Sequence, residues 1–450
     1  MRNAFVVAAS FVICCSIFYI RDCHVPNSGR NDTNKGSPSS PDYHLYNHTI
    51  FLPFVEPFSS AEVPLVSITV NATHIDMPID TGSTGTLIGA PLLPGISNDI
   101  GTPAYQFYSS SRLLYTGRLV DLEIEFHGSA GGRNHSFPGS YALATVPVLV
   151  VDTSLRCPWY DEQVDTFECP PNPKFPTPTP KKTNNITYMG VGFGRNKMAE
   201  KNRNDTPRSN PFLNVGKIDG YFGPYRNGYT VSTKGVHLGL TEQNTKGFVF
   251  VNLKTGYTHD EDPRDWAMPD MCFGINRWED MNCGSALIDT GIPQMYLRTD
   301  IGVEIPNVTV HNPSHEELWV KRVKPGTEIM VGFPGTGGKF ASEYSFEVGG
   351  GEAVEPSFAV PEGQAPPPFI NTGRNFLYGH SVAFDADGGR FGPWCSANAM
   401  ESLLNRHRMN HVLLPHRSTV CCFLLTHVSA SGIMPTILGA WKSVCACVEM

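Results

Sequence analysis

The chain has 450 residues, enough for two or three domains of ordinary size. Its 40% hydrophobic content excludes wholesale disorder, and only 17% of residues are charged, against a usual ~25%. A formal net charge of -8 argues against nucleic acid as the main partner, because phosphate binding needs a basic surface. With 43 Gly and 37 Pro, turn formers are in excess, which favours a β-rich, loop-rich chain over a helix bundle.

Arg2 precedes an uncharged run over residues 4–20, closed by Arg21 and Asp22. A basic start followed by an apolar stretch makes residues 1–22 an export signal, either cleaved or kept as a signal-anchor that holds the chain to a membrane. The run ends in Ile17-Phe-Tyr-Ile20, without the small-x-small pattern a signal peptidase prefers. Residues 23–60 are polar and read as a stalk or an activation segment. Asn31, Asn47, Asn71, Asn134, Asn185, Asn204 and Asn307 each stand two before Ser or Thr with no Pro between, as glycan acceptors do on exported chains.

From Val63 onward, short β-branched runs alternate with turns. Val66–Val70 and His74–Ile79 flank an Asn71-Ala-Thr turn, which predicts a hairpin. Val120–Phe126 alternates strictly, as a half-buried strand does. Residues 170–184 carry Pro170, Pro171, Pro173, Pro176, Pro178 and Pro180, which excludes a helix or central strand and predicts an exposed insertion. Of the 12 Cys, Cys157 with Cys169 and Cys272 with Cys283 each close a short loop, and two disulfides are expected there in an oxidising lumen. Zinc is disfavoured, since neither pair is CxxC and no His stands beside them at ligand spacing. Residues 395–450, with Cys395, Cys421, Cys422, Cys445 and Cys447, change character and read as a tail outside the main fold.

Two segments carry chemistry. Met77-Pro-Ile-Asp80-Thr81-Gly82-Ser83 and Ala286-Leu-Ile-Asp289-Thr290-Gly291-Ile292 each lead an Ile directly into Asp-Thr-Gly. One such tripeptide is common turn chemistry; two copies about one domain apart, each after a hydrophobic run, are far more specific. A buried strand ending in Asp sets a carboxylate in the floor of a cleft. Gly82 and Gly291 let the backbone turn and approach closely, and Thr81 and Thr290 offer hydroxyls that can bond across to the other copy. If the loops meet, Asp80 and Asp289 cannot both ionise freely; they share one proton and their titrations split. One carboxylate then acts as base on a water molecule, and the other, protonated, donates to a substrate carbonyl.

On these residues the chain resembles the pepsin-like aspartic peptidases, over roughly residues 60–394. The resemblance implies an all-β fold of two lobes with a cleft between them, an N-terminal lobe over 61–240 and a C-terminal lobe over 241–394. It also implies a monomer that cleaves extended polypeptides, best at acid pH, with no metal or other cofactor, in the secretory pathway, at the cell surface, outside the cell or in a vacuole. In that family a later strand of each lobe, two hydrophobic residues then Gly, threads beside the Asp loop. Tyr188-Met189-Gly190 looks like the first and Leu377-Tyr378-Gly379 like the second, the latter leading into a closing hairpin from His380. The family's flap tyrosine is matched to Tyr115, just before Gly117, with Tyr108 next in line. The family also sets a Ser or Thr after each Asp-Thr-Gly to bond the outer oxygen of that Asp. Ser83 meets this and Ile292 does not, which places the chain in a divergent branch.

Two other readings compete. A catalytically silent protein of the same fold would bind peptides or cell-surface ligands. A metal-dependent phosphohydrolase would need clustered acidic or His ligands. Asp260-Glu-Asp262 and Asp385-Ala-Asp387 have Asp-x-Asp spacing, but no strand leads into the first and the closing hairpin accounts for the second. Gly335-Thr-Gly-Gly-Lys339 misses the spacing of a phosphate loop, and no Gly-x-Ser-x-Gly elbow is present.

Overall fold

The computed structural model describes residues 42–395 except 109–110, 133–134, 162–163, 165–166, 175, 196–205, 220–222, 278–280, 312–318 and 336–337. The export signal, Asn31, Asn134, Asn204 and the tail beyond Cys395 lie outside the described residues. The fold is all-β: a 14-stranded sheet, a 7-stranded sheet and a two-stranded ribbon, connected by loops and short 3-10 turns. It has the two lobes expected, and residues of both line a cleft between them.

The predicted hairpin forms from Leu65–Val70 and Thr73–Asp80, in the register Val66 to Met77 and Ile68 to Ile75. Asn71 and Ala72 make its turn, with φ of 47° and 63°. Val66, Ile68, Val70, Ile75, Met77 and Ile79 all point into the core, so this alternation delivers Asp80 to the end of a buried strand. Val120, Leu122, Ile124 and Phe126 likewise bury one face of the long strand Leu113–Gly132, paired with His135–Arg156.

Thr49–Pro53 departs from expectation. The segment assigned to the stalk forms a strand between Gly235–Leu238 and Leu113–Gly132, with Ile50 and Leu52 fully buried. Phe51, between them, covers the other face against His237, so the run lacks the polar-out alternation that marks a half-buried strand.

The closing hairpin, His380–Asp385 with Arg390–Cys395, does not stay with the second lobe's sheet. His380–Asp385 pairs with Gly228–Ser232, joining the larger sheet, in the register Gly228 to Asp385 and Val231 to Val382. Asp385 there is fully buried. It accepts from Arg226 Nε and Nη2, each at 2.9 Å, from Tyr43 Oη at 3.0 Å and from the Gly388 amide at 3.0 Å. The Asp385-x-Asp387 spacing therefore serves a structural ion pair.

Both expected disulfides form. Cys157–Cys169 lies against Tyr105, Phe107, Leu114 and Tyr160. Cys272–Cys283 joins directly opposed residues of Asp270–Ile275 and Asn282–Leu287, the strand that leads to Asp289.

His380 is buried and His237 half-buried, both as neutral rings. His380 stacks on Phe376, and its Nε2 lies 3.1 Å from Ser342 Oγ. Burial pushes the pKa of His380 down to about 3 and that of His237 down to about 4. The unfolded chain then binds more protons than the folded one below about pH 6.5. Stability from these two groups is present above that value and is lost as pH falls toward their folded pKa values. We expect stability to fall on acidification from pH 7 to 4.5, by on the order of 1 kcal/mol per pH unit for each ring, and the thermal midpoint to fall with it. His380→Gln, followed by scanning calorimetry across this range, should flatten the slope; an unchanged slope would contradict the assignment.

Candidate active site

The two Asp-Thr-Gly loops meet. Thr81 and Thr290 hold them in a reciprocal grip: the Thr81 amide donates to Thr290 Oγ1 at 3.0 Å, and the Thr290 amide to Thr81 Oγ1 at 3.1 Å. Each hydroxyl in turn donates across the lobes, Thr81 to Ile288 O at 2.7 Å and Thr290 to Ile79 O at 3.0 Å. All four bonds are buried, so each donor and acceptor would lose a partner if the loops parted.

This grip sets the carboxylates face to face. Asp80 and Asp289 are both buried and hydrogen-bonded to each other. The Gly82 amide donates to Asp80 Oδ1 at 2.6 Å and the Gly291 amide to Asp289 Oδ1 at 2.8 Å. A Cβ on Gly82 would stand 2.3 Å from Asp289 Cγ, and one on Gly291 would stand 2.5 Å from Asp80 Cγ. Only a residue without a side chain lets each loop lie against the opposite acid. Burial, and then the charge of Asp289, hold the Asp80 carboxyl well above the ordinary carboxylate range.

Gly190 stands where the sequence predicts, opposite Asp80 in parallel register, with Ser83 Oγ 2.6 Å from where its Cβ would be. Gly379 does not. It caps the 3-10 turn Arg374–Tyr378. The strand beside the second loop is Phe369–Asn371, parallel to Asn282–Leu287 with Leu287 opposite Asn371. That register carries Asp289 to Gly373. The pattern of two hydrophobic residues then Gly missed this strand because Asn371 and Thr372 stand before its glycine.

Tyr115 is likewise displaced from its expected place. The hairpin over the cleft pairs Thr102–Tyr108 with the start of Leu113–Gly132, and Tyr115 lies on the second of these strands opposite Gln106, outside the cleft lining. Gly117 makes no turn: it sits at a strand irregularity where a Cβ would be 2.0 Å from Val150 O. The strand facing the cleft is Thr102–Tyr108, and Tyr108 packs edge-on against Tyr188. The cleft has a volume of about 700 Å³. Asp80 and Asp289 lie in it together with Tyr105, Tyr108, Tyr188 and Ile292.

Sequence reading missed two partners of the acids. Tyr188 donates its hydroxyl to Asp80 Oδ2 and receives one from Ser83 Oγ at 3.0 Å. Asn371 Nδ2 donates to Asp289 Oδ2 at 2.6 Å. Ser83 lies beside Asp80 as well, but its one hydroxyl proton goes to Tyr188, so it acts on the acid through the phenol. Ile292 offers no such group. Polar residues in otherwise apolar strands next to an acidic loop were the available signal.

No family model matches the chain, and no curated protein matches it. Among solved structures the chain is similar to an aspartic proteinase from Irpex lacteus, at 11% identity and a TM-score of 0.38, over 78% of this chain and 98% of that one.

Proposed function

We propose that this protein is an exported aspartic-type endopeptidase, hydrolysing peptide bonds with water activated between Asp80 and Asp289. The observation that carries this reading is the buried, hydrogen-bonded carboxylate pair at the floor of an open cleft, held by the Thr81–Thr290 grip.

Two hydrogen-bonded acids hold one proton between them, so one is a base and the other an acid in the same state. The ionised carboxylate takes a proton from water as its oxygen attacks the peptide carbonyl. The protonated one donates to the carbonyl oxygen, giving a neutral tetrahedral diol. Collapse breaks the C–N bond as one diol hydroxyl gives its proton to the ionised acid and the leaving nitrogen takes the proton of the other, so the pair again holds a single proton. An extended polypeptide fits an open cleft walled by the strand Thr102–Tyr108. A silent binder of the same fold rests on Ile292 and on the unusual loops; the donor from Asn371 to Asp289, which stands in for the hydroxyl Ile292 lacks, supports the enzyme over it. Export is supported by the two disulfides and by sequons at the exposed Asn71, Asn185 and Asn307.

The test is purification from a secretory host, incubation with an unfolded protein between pH 3 and 7, and mapping of products by mass spectrometry. Internal cleavage that is blocked by an uncleavable peptide analogue bearing a hydroxyl at the scissile position is expected. A folded protein that neither cleaves nor binds the analogue at any of these pH values would refute the proposal.

A further inference from the structure

Tyr188 and Asn371 occupy the same place in the two lobes. Asp80 pairs with Gly190, and the register of the second strand sets Asp289 opposite Gly373. Tyr188 and Asn371 each stand two residues before that glycine, hence on the same face of a strand of period two. Each reaches Oδ2 of its own acid, while the loop glycine amide holds Oδ1. Every dyad oxygen thus has a protein donor, and in both lobes the donor to Oδ2 comes from the threaded strand.

The two donors differ in chemistry. The Gly373 amide donates to Asn371 Oδ1 at 3.0 Å, so the Asn371 NH2 is locked toward Asp289. An amide N–H donates and accepts nothing, so it opposes a proton on that oxygen. A phenol hydroxyl both donates and accepts, so Tyr188 tolerates Asp80 in either state. Charge acts in the same sense. Arg374, buried at the end of the second strand, donates from Nη2 to Gly291 O at 2.8 Å, and its Nε and Nη1 have no hydrogen-bond partner among the described residues. Its charge bears on Asp289 first, then Asp80, then Glu62. The titratable and charged groups around the pair are Tyr188, Arg374 and, through Arg374, Glu62, with Tyr105, Tyr108, Tyr296, Arg112, Arg195, Arg298 and Glu362 along the cleft.

We infer that Tyr188 and Asn371 are paired positioning residues, and that their unlike hydrogen bonds place the shared proton on Asp80 and keep Asp289 as the ionised base. This deepens the endopeptidase reading and rests on it for its kinetic consequence. The placement of the proton is testable without turnover.

Titration of the full chain labelled with 13C in its Asp carboxyls reads each acid directly, the dyad signals being identified by their loss in Asp80→Asn and Asp289→Asn. In the unmutated protein Asp289 should ionise first. Asn371→Ala should raise the Asp289 titration by about one pH unit, the worth of a lost hydrogen bond to a charged acceptor. The acid limb of any cleavage profile should move with it. Ile292→Thr added to Asn371→Ala should return the titration, because Ser83 at the equivalent position lies beside Asp80. Tyr188→Phe should move Asp80 and leave Asp289 nearly in place. If Asn371→Ala does not fold, the isosteric Asn371→Asp, which swaps the donor for an acceptor, should raise Asp289 further still. An unmoved Asp289 in these variants, no recovery with Ile292→Thr, or Asp80 ionising before Asp289 would each overturn the inference. A chain that titrates as described yet cleaves no peptide would overturn only the endopeptidase reading.

Discussion

Asp80→Asn is expected to lower peptide cleavage by at least about 10³-fold, with Asp289→Asn falling as far, because acid–base catalysis by a positioned side chain is worth ~10²–10⁴ and each acid here serves two steps. The amide keeps the shape of the carboxyl, and its oxygen can still accept from Gly82, so the loss is chemical and not architectural. The double variant should be scarcely worse than either single one, since the acids act as a unit. Stability should move the other way. The Asp80 pKa is raised in the folded state by burial and by Asp289, so the folded chain binds more protons than the unfolded one above about pH 3.9. Stability from this group is full below that pH and is lost as pH rises through the folded value. Asp80→Asn should therefore raise the thermal midpoint at pH 7 and change it little at pH 3.5. Cleavage within tenfold of the unmutated protein would end the dyad account.

Asp385→Ala is expected to cost about 3–5 kcal/mol, the toll of leaving a buried cation without its anion. The acid is inaccessible and holds Arg226 through two bonds of 2.9 Å, with Tyr43 and Gly388 as further donors. Arg226 is only 17% exposed, so solvent screens the pair little. In a body of this size the loss corresponds to roughly 10 °C in the thermal midpoint. Arg226→Met with Asp385→Leu should recover much of it, since replacing both charges leaves none stranded. The metal reading of Asp385-Ala-Asp387 predicts instead that chelators destabilise the unmutated chain and that the double variant is as damaged as the single one.

The site was legible where chemistry depends on local sequence. Two Ile-Asp-Thr-Gly loops, their threonines and glycines, and two short cysteine loops carry their geometry in a few adjacent residues. Sheet-level partners were not legible. Tyr115 and Gly117 look like a flap because a glycine after a tyrosine suggests a turn, whereas Gly117 is there to admit Val150 O. Gly379 fits a hydrophobic pattern that the true strand breaks with Asn371, a residue whose value appears only when Asp289 lies beside it. Thr49–Pro53 is paired on both edges by strands from distant parts of the chain, and nothing within five residues announces that.

The sheltered imidazoles of His237 and His380 give the molecule a floor of acidity to set against a ceiling. The carboxyl pair needs a proton, which caps the range from above; the rings must stay uncharged, which bounds it from below, with His237 yielding at about 4. Strong acid is thus expected to loosen the fold by charging its inner rings while the carboxyl pair keeps its proton, so the two kinds of group respond to acid in opposite senses.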